Sequence, residues 1–311
     1  MNPKHVANRK GLGAAVAVCC AAVCFMESSA ATIHVMPGST TIQAAVASAA
    51  NGDSLVLAPG NYLLDDPVGV NKNITIVSQL GPEVTVVDLQ YNIGSVFYIF
   101  PMASGPTIEG LTIKRGLAAG TGAGSGVYAY KAGPTLRNNF FYGNVASDIE
   151  GNGGLGAAVA VFQGNPTIQN NTLVANESGG GALFLSLCGG IVEYNVIAYN
   201  SDGHANSADG FGLSCVLSST DIHNNLFWAN LPAQIDPLCA IALPANGNVT
   251  VDPRFCAPEY GPKGLDADWH LHADSPLLPG KAYAGWGAHL SQCGATPAHP
   301  TSWGRIKGAY R

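Results

Sequence analysis

Asparagine and apolar residues form one short phrase that this chain repeats four times: Asn139-Phe-Phe-Tyr-Gly-Asn144, Asn171-Thr-Leu-Val-Ala-Asn176, Asn195-Val-Ile-Ala-Tyr-Asn200 and Asn225-Leu-Phe-Trp-Ala-Asn230. The copies start 32, 24 and 30 residues apart. Recurrence at such a period marks a stacked repeat, in which each unit buries its apolar face only against its neighbours. Aligned on the first Asn, four columns are uniformly apolar or small. They are Leu136, Ile168, Val192 and Ile222; Phe141, Leu173, Ile197 and Phe227; Val127, Val159, Leu183 and Leu213; and Ala129, Val161, Leu185 and Cys215. The pattern predicts coils of three short strands with inward-facing columns, each coil pairing in parallel with the next at about 4.8 Å. Degenerate copies begin near Ile74 and Leu111, and a later one begins at Asn248.

The Asn columns themselves read as structure. A stacked Asn can donate its amide to the side-chain oxygen of the Asn one coil on, building a ladder, and Asn tolerates the left-handed backbone that a sharp bend requires. Before the repeats, Thr41-Ile-Gln-Ala-Ala-Val-Ala-Ser48 has Ile42, Ala45, Val46 and Ala49 at helical spacing, with Thr40 or Thr41 available as a cap. In a solenoid this helix serves as a lid over the first coil.

Composition fits many short strands between turns: 311 residues, 39 Gly, 19 Pro, 47% hydrophobic and 11% charged. The first thirty residues differ from the rest. A basic start (Lys4, His5, Arg9, Lys10), an apolar run from Leu12 to Phe25 and small residues at Ser28 to Ala31 read as a signal peptide over 1–31. Cleavage near Ala30 leaves 11 basic against 19 acidic residues, a net of −8. Such a balance disfavours nucleic acid and anionic membrane as partners and fits a secreted monomer, extracellular or periplasmic. Of the remaining cysteines (Cys188, Cys215, Cys239, Cys256, Cys293), some should pair in an oxidising compartment and one is left over. Cys256 and Cys293, flanking the closing segment, are the first expected pair, and Cys188 with Cys215 a weaker one.

The opening Thr41-Ile-Gln-Ala-Ala-Val through Gly52-Asp-Ser-Leu-Val-Leu-Ala-Pro-Gly-Asn-Tyr62, the phrase Gly164-Asn-Pro-Thr-Ile-Gln-Asn-Asn171, and the tail Val251-Asp-Pro-Arg-Phe255 with Asp268-Trp-His-Leu271 resemble secreted right-handed parallel β-helix proteins of the pectin-lyase-like superfamily. The resemblance implies an all-β, right-handed parallel β-helix over 32–311 with an N-terminal capping helix. The cap and first strand occupy 32–60, and the closing segment of 249–311 packs across the end of the last coil. It also implies a polysaccharide partner and a groove along the outer face of one sheet, walled by the loops before it. The paired Asp and the Gly-His-Gly of polygalacturonase-like members are absent here.

The loops after each second Asn are the expected wall, and they carry acids. Asp202, His204 and Asp209, on the longest polar insertion, are the candidate catalytic residues. Asp148, Glu150 and Glu177 are the candidate ligands of a calcium ion, which takes several hard oxygens. By strand alternation Tyr128, Tyr130 and Phe162 point outward, where aromatic rings can stack on sugar faces; Lys131 and Arg137 could hold a carboxylate. Two functions compete. One is an enzyme, lyase or hydrolase, acting on acidic polysaccharide. The other is a non-catalytic β-helix that binds glycan at a surface.

Overall fold

The computed structural model describes residues 30–38, 40–119, 122–147, 154–202, 211–241, 243–259, 267–288 and 290–294. The expected signal peptide, except Ala30 and Ala31, lies outside them.

Three parallel sheets wind around one core. Sheet A has eight strands, from Thr32–Val35 to Asp221–His223; sheet B has seven, from Gly60–Leu63 to Leu226–Trp228; sheet C has seven, from Val68–Val70 to Ala233–Ile235. Each coil passes from C to A to B, as in Val127–Tyr130, Thr135–Arg137 and Phe140–Tyr142. The register reproduces the four columns: Leu136 pairs with Ile168, then Val192, then Ile222. Phe141, Leu173, Ile197 and Phe227 pair likewise, as do Val127, Val159, Leu183 and Leu213. All of these side chains are buried in the main core.

The ladders form as expected. Nδ2 of Asn139, Asn171, Asn195 and Asn225 donates in turn to Oδ1 of Asn171, Asn195, Asn225 and Asn248, at 3.1, 3.0, 2.9 and 3.1 Å. A second ladder runs Asn144, Asn176, Asn200, Asn230 and ends on Gln234. The left-handed backbone, however, belongs to the residue before each ladder Asn. Asn138, Asn170, Tyr194 and Asn224 have φ of 54–56°, and Gly143, Ala175, Tyr199 and Ala229 sit likewise at positive φ. One residue turns the corner and the next fills it, which is why Asn-Asn pairs occur at 138–139, 170–171 and 224–225. A third left-handed corner, Lys131, Gln163, Leu187 and Leu217, separates sheet C from sheet A.

The helix Thr41–Ser48 covers the first coils with Ile42, Ala45 and Val46 buried. Its start is not closed by Thr40, whose side chain makes no cap hydrogen bond; the Thr41 hydroxyl donates to Gly38 O instead. Its end is closed by Lys72, whose Nζ donates to the carbonyls of Val46, Ala47 and Ala49 at 2.9, 2.7 and 2.6 Å. An ammonium at these carbonyls satisfies the open end of the helix and complements its dipole.

The closing segment departs from expectation. Its described residues do not lie across the end of the last coil. It runs back along the outer face of sheet B, where Phe140, Val174, Val196, Ala198 and Leu226 pack against Phe255, Trp269, Leu271, Leu277, Leu278 and Ala288. The reason is that the outer face of sheet B is largely apolar from Phe140 to Leu226, so that part of it needs a cover. Backbone contacts pin the strap along the way: Gly287 N donates to Tyr194 O at 2.7 Å, and Ala288 N to Thr172 Oγ1 at 2.9 Å. Cys256 and Cys293 are disulfide-bonded and fasten the strap. Cys215 pairs with Cys239, not with Cys188. Cys188 is one coil back but level with Ser218, and its Sγ donates to Val161 O and Ser186 O. The Cys215–Cys239 bond ties the end plug of Ile235, Ile241 and Leu243 onto the core.

Candidate functional site

The arcs that build the core have fixed length. From Val127, Val159, Leu183 and Leu213 on sheet C it is eight residues to the matching strand of sheet A, and from there five to sheet B. All variation of the 32, 24 and 30 periods therefore falls in the loops from B to C, on one side of the molecule. These loops stack in parallel, with Leu117 and Ala118 beside Val145 and Ala146, Val145 bridged to Glu177, and Glu177 bridged to Ser201.

Of the acids expected here, Glu177 and Asp202 are described, on successive loops, with Asp202 buried. Asp148, Glu150, His204 and Asp209 lie outside the described residues. Of the expected calcium set Glu177 alone is among the described residues.

A charged cluster that the sequence reading missed sits on the adjoining corner. The buried Asp88 takes a two-pronged hydrogen bond from the Arg115 guanidinium, with Nε at 2.8 Å, and faces Lys114 Nζ at 3.6 Å. The Arg115 guanidinium lies 5.8 Å from the Tyr91 ring centroid. Burial pushes the Tyr91 phenol up, while Arg115 pulls it down. Two adjacent cations opposite an acid one coil earlier were the signal in the sequence.

The outward aromatics of sheet C do come together. Ring centroids run Phe100 to Tyr98 at 4.8 Å, Tyr98 to Tyr128 at 5.0 Å, Tyr128 to Phe162 at 5.6 Å and Phe162 to Phe184 at 5.4 Å. Stacked parallel strands place two such positions per coil, and the rings zigzag between these two columns along the solenoid axis, with Tyr98 level with Tyr128 and Phe162 level with Tyr130. Cover falls off along the row: Phe184 is 5% exposed, Tyr98 37% and Phe100 44%. The covered end lies under the loop at Gly156, where an added Cβ would stand 2.8 Å from Phe184 Cβ and 2.9 Å from Ala160 Cβ. With φ at 62°, this position favours glycine on both counts. The open end reaches the lid, where Gln43 Oε1 accepts from Gly69 N at 2.8 Å beside the Phe100 ring. A cavity of about 310 Å³ follows, lined by Thr40, Gln43, Ala44, Asp65, Asp66 and Val68 among others.

Lys131 Nζ sits 5.1 Å from the Tyr130 ring centroid, at the edge of this platform. Burial, then the neighbouring phenols of Tyr98 and Tyr130, raise the Tyr128 phenol above its ordinary range, so it stays protonated. Arg137 is not part of the platform. It points out from sheet A and is ion-paired with Glu109, Nε to Oε2 at 2.9 Å.

Residues 82–252 match the family model described as the right handed beta helix region. No curated protein matches the chain. Among solved structures, the PL6 family alginate lyase AlyGC is similar at 14% identity and a TM-score of 0.28, covering 72% of this chain and 40% of that one. An arginine variant of the same lyase is similar at 12% identity and a TM-score of 0.30, covering 72% and 39%. The chain thus spans about two fifths of the length of these structures.

Proposed function

This chain belongs to the right-handed β-helix family, and we propose that it is an extracellular protein that lays an extended acidic polysaccharide along the outer face of sheet C. The observation that carries this reading is the continuous row of rings from Phe100 through Tyr98 and Tyr128 to Phe162, open at the lid end and closed by a loop at the other. Repeating rings offer repeating apolar faces to the C–H side of successive sugars. The Lys131 ammonium at the edge supplies a cation for a uronate carboxylate. Two disulfides are in keeping with an oxidising compartment.

Cleavage is the second reading, favoured by Glu177 and Asp202 standing on successive loops at the rim. Acids on stacked loops beside a bound strand suit proton transfer at a glycosidic linkage.

The test is calorimetric titration with alginate, polygalacturonate and neutral glycans of matched length. Binding of a polyuronate is expected, weakened about tenfold by Tyr98→Ala or Tyr128→Ala, since each ring contributes on the order of 1 kcal/mol. Lys131→Gln is expected to weaken binding and flatten its salt dependence. No binding to any polymer, or binding indifferent to both tyrosines, defeats the platform. Ultraviolet absorbance of unsaturated products and reducing-end assays, repeated with Glu177→Gln and Asp202→Asn, decide catalysis.

A further inference from the structure

The corner between sheets A and B carries a second cleft, on a different side of the solenoid from the aromatic platform. It holds about 350 Å³, within the range of small-molecule sites. Its floor is the left-handed corner column Asn138, Asn170 and Tyr194 together with Gln169, and its wall is the strap at Ala284, Gly285 and Trp286.

The lining has a definite chemistry. Trp286 packs edge-on against Tyr194, centroids 5.8 Å apart, and against Tyr283 at 4.8 Å. Gly287 N donates to Tyr194 O at 2.7 Å, and Asn170 Nδ2 donates to Gly285 O, so strap and corner are fixed to each other. The Gln169 amide makes no hydrogen bond among the described residues, and the Asn138 amide has only a long one, 3.4 Å to Glu109. Each amide presents a donor and an acceptor side by side, the complement of a hydroxyl, which is both. The cleft's lining is uncharged. Arg137, next to the lining, is ion-paired with Glu109 at 2.8 Å.

Uncharged amides beside an indole suit an uncharged, hydroxyl-rich ring. We propose that this cleft is a second saccharide site, taking a neutral pyranose unit of an oligosaccharide. It is separate from the platform of sheet C and has the opposite charge preference.

The corner allows a clean variant. Asn138→Gly removes an amide at a backbone position that glycine adopts without strain, and Gln169→Ala removes the other from an outer strand face. The probes are cellohexaose, xylohexaose, mannohexaose and maltohexaose, with oligogalacturonate as the anionic comparison, followed by saturation-transfer NMR and calorimetry. At least one neutral hexaose is expected to bind the wild type, and the double variant to bind it at least tenfold more weakly. Oligogalacturonate binding should be unchanged in that variant. Tyr98→Ala should show the reverse pattern, which separates the two sites. The inference is overturned if no neutral hexaose binds the wild type, if the double variant binds as well as the wild type, or if neutral binding is lost in Tyr98→Ala instead.

Discussion

Asn195 Oδ1 receives two hydrogen bonds from one residue: Nδ2 of Asn171 at 3.0 Å and the backbone N–H of Asn171 at 2.9 Å. Asn195 Nδ2 meanwhile donates to Asn225 Oδ1, Ile168 O and Glu193 O. A single fully buried amide therefore serves three coils. Asn195→Ala leaves the backbone N–H of Asn171 and the Ile168 carbonyl without these partners, and each orphaned group costs about 1–3 kcal/mol. The variant is expected to lose about 3–4 kcal/mol, read as a fall in the urea midpoint. Asn195→Asp, nearly identical in shape, should also be strongly destabilised, because a carboxylate would face those carbonyls. A tolerated Asp would show that the ladder is only filler.

Corners give two substitutions of opposite sign. Leu217 holds φ at 50° and is 82% exposed. A non-glycine residue there costs about 1–2 kcal/mol, partly offset by glycine's unfolded-state entropy, so Leu217→Gly should stabilise by about 0.5 kcal/mol. At Gly133 a Cβ would stand 2.6 Å from the backbone oxygen of Asn165 in the next coil. Gly133→Ala should therefore destabilise by about 2 kcal/mol or more, since coils cannot move apart without breaking sheet pairing. Thermal melts of the two variants check both signs.

Lys72 holds the lid by its three carbonyl contacts. Hydrogen bonds to a charged group are worth about 1.5–3 kcal/mol when buried, and less at a partly exposed one, so Lys72→Met should release about 1–2 kcal/mol locally. Amide exchange should speed up in Thr41–Ser48 and stay slow in the ladder coils. Equal acceleration everywhere would make Lys72 a global rather than a lid contact.

Asp53 gives the same end of the molecule an acid dependence. The backbone N–H of Ala31, at 2.7 Å, then that of Ala50, at 2.8 Å, hold its carboxyl below the usual value of 3.8, with help from Lys72. Because the folded value is depressed, the stabilisation is present above pH 4 and is lost as pH falls through the folded value. Asp53→Asn should lack this component, so the stability of wild type and variant should converge below pH 4. A constant gap between them at all pH values would contradict it.

Much of the fold was legible because inward columns repeat at fixed offsets from an Asn. Leu136, Phe141, Val127 and Ala129 each name their partner one coil on, and spacing suffices to place them. The strap was not legible from those columns. Its signal lay in the outward positions Phe140, Val174, Val196 and Leu226, which are apolar where solvent-facing positions would be polar. Tyr128, Tyr130 and Phe162 were placed correctly by alternation alone. Tyr98 and Phe100 escaped notice because their coil lacks the Asn phrase that sets the register. Arg137 went astray because it is close in sequence to Tyr130 but beyond a corner, so the two face different ways. Cys239 found Cys215 through the end plug, whose path follows no repeat.

The constancy of the eight- and five-residue arcs has a further consequence. From Val127 to Trp228 each coil meets the next through the same two arcs, whatever its loop does. A loop from sheet B to sheet C can thus be lengthened, shortened or exchanged without altering the register of any neighbouring coil. The molecule works as a ruler with graduations on three sides and free margin on the fourth, and variation written in that margin falls beside the aromatic row.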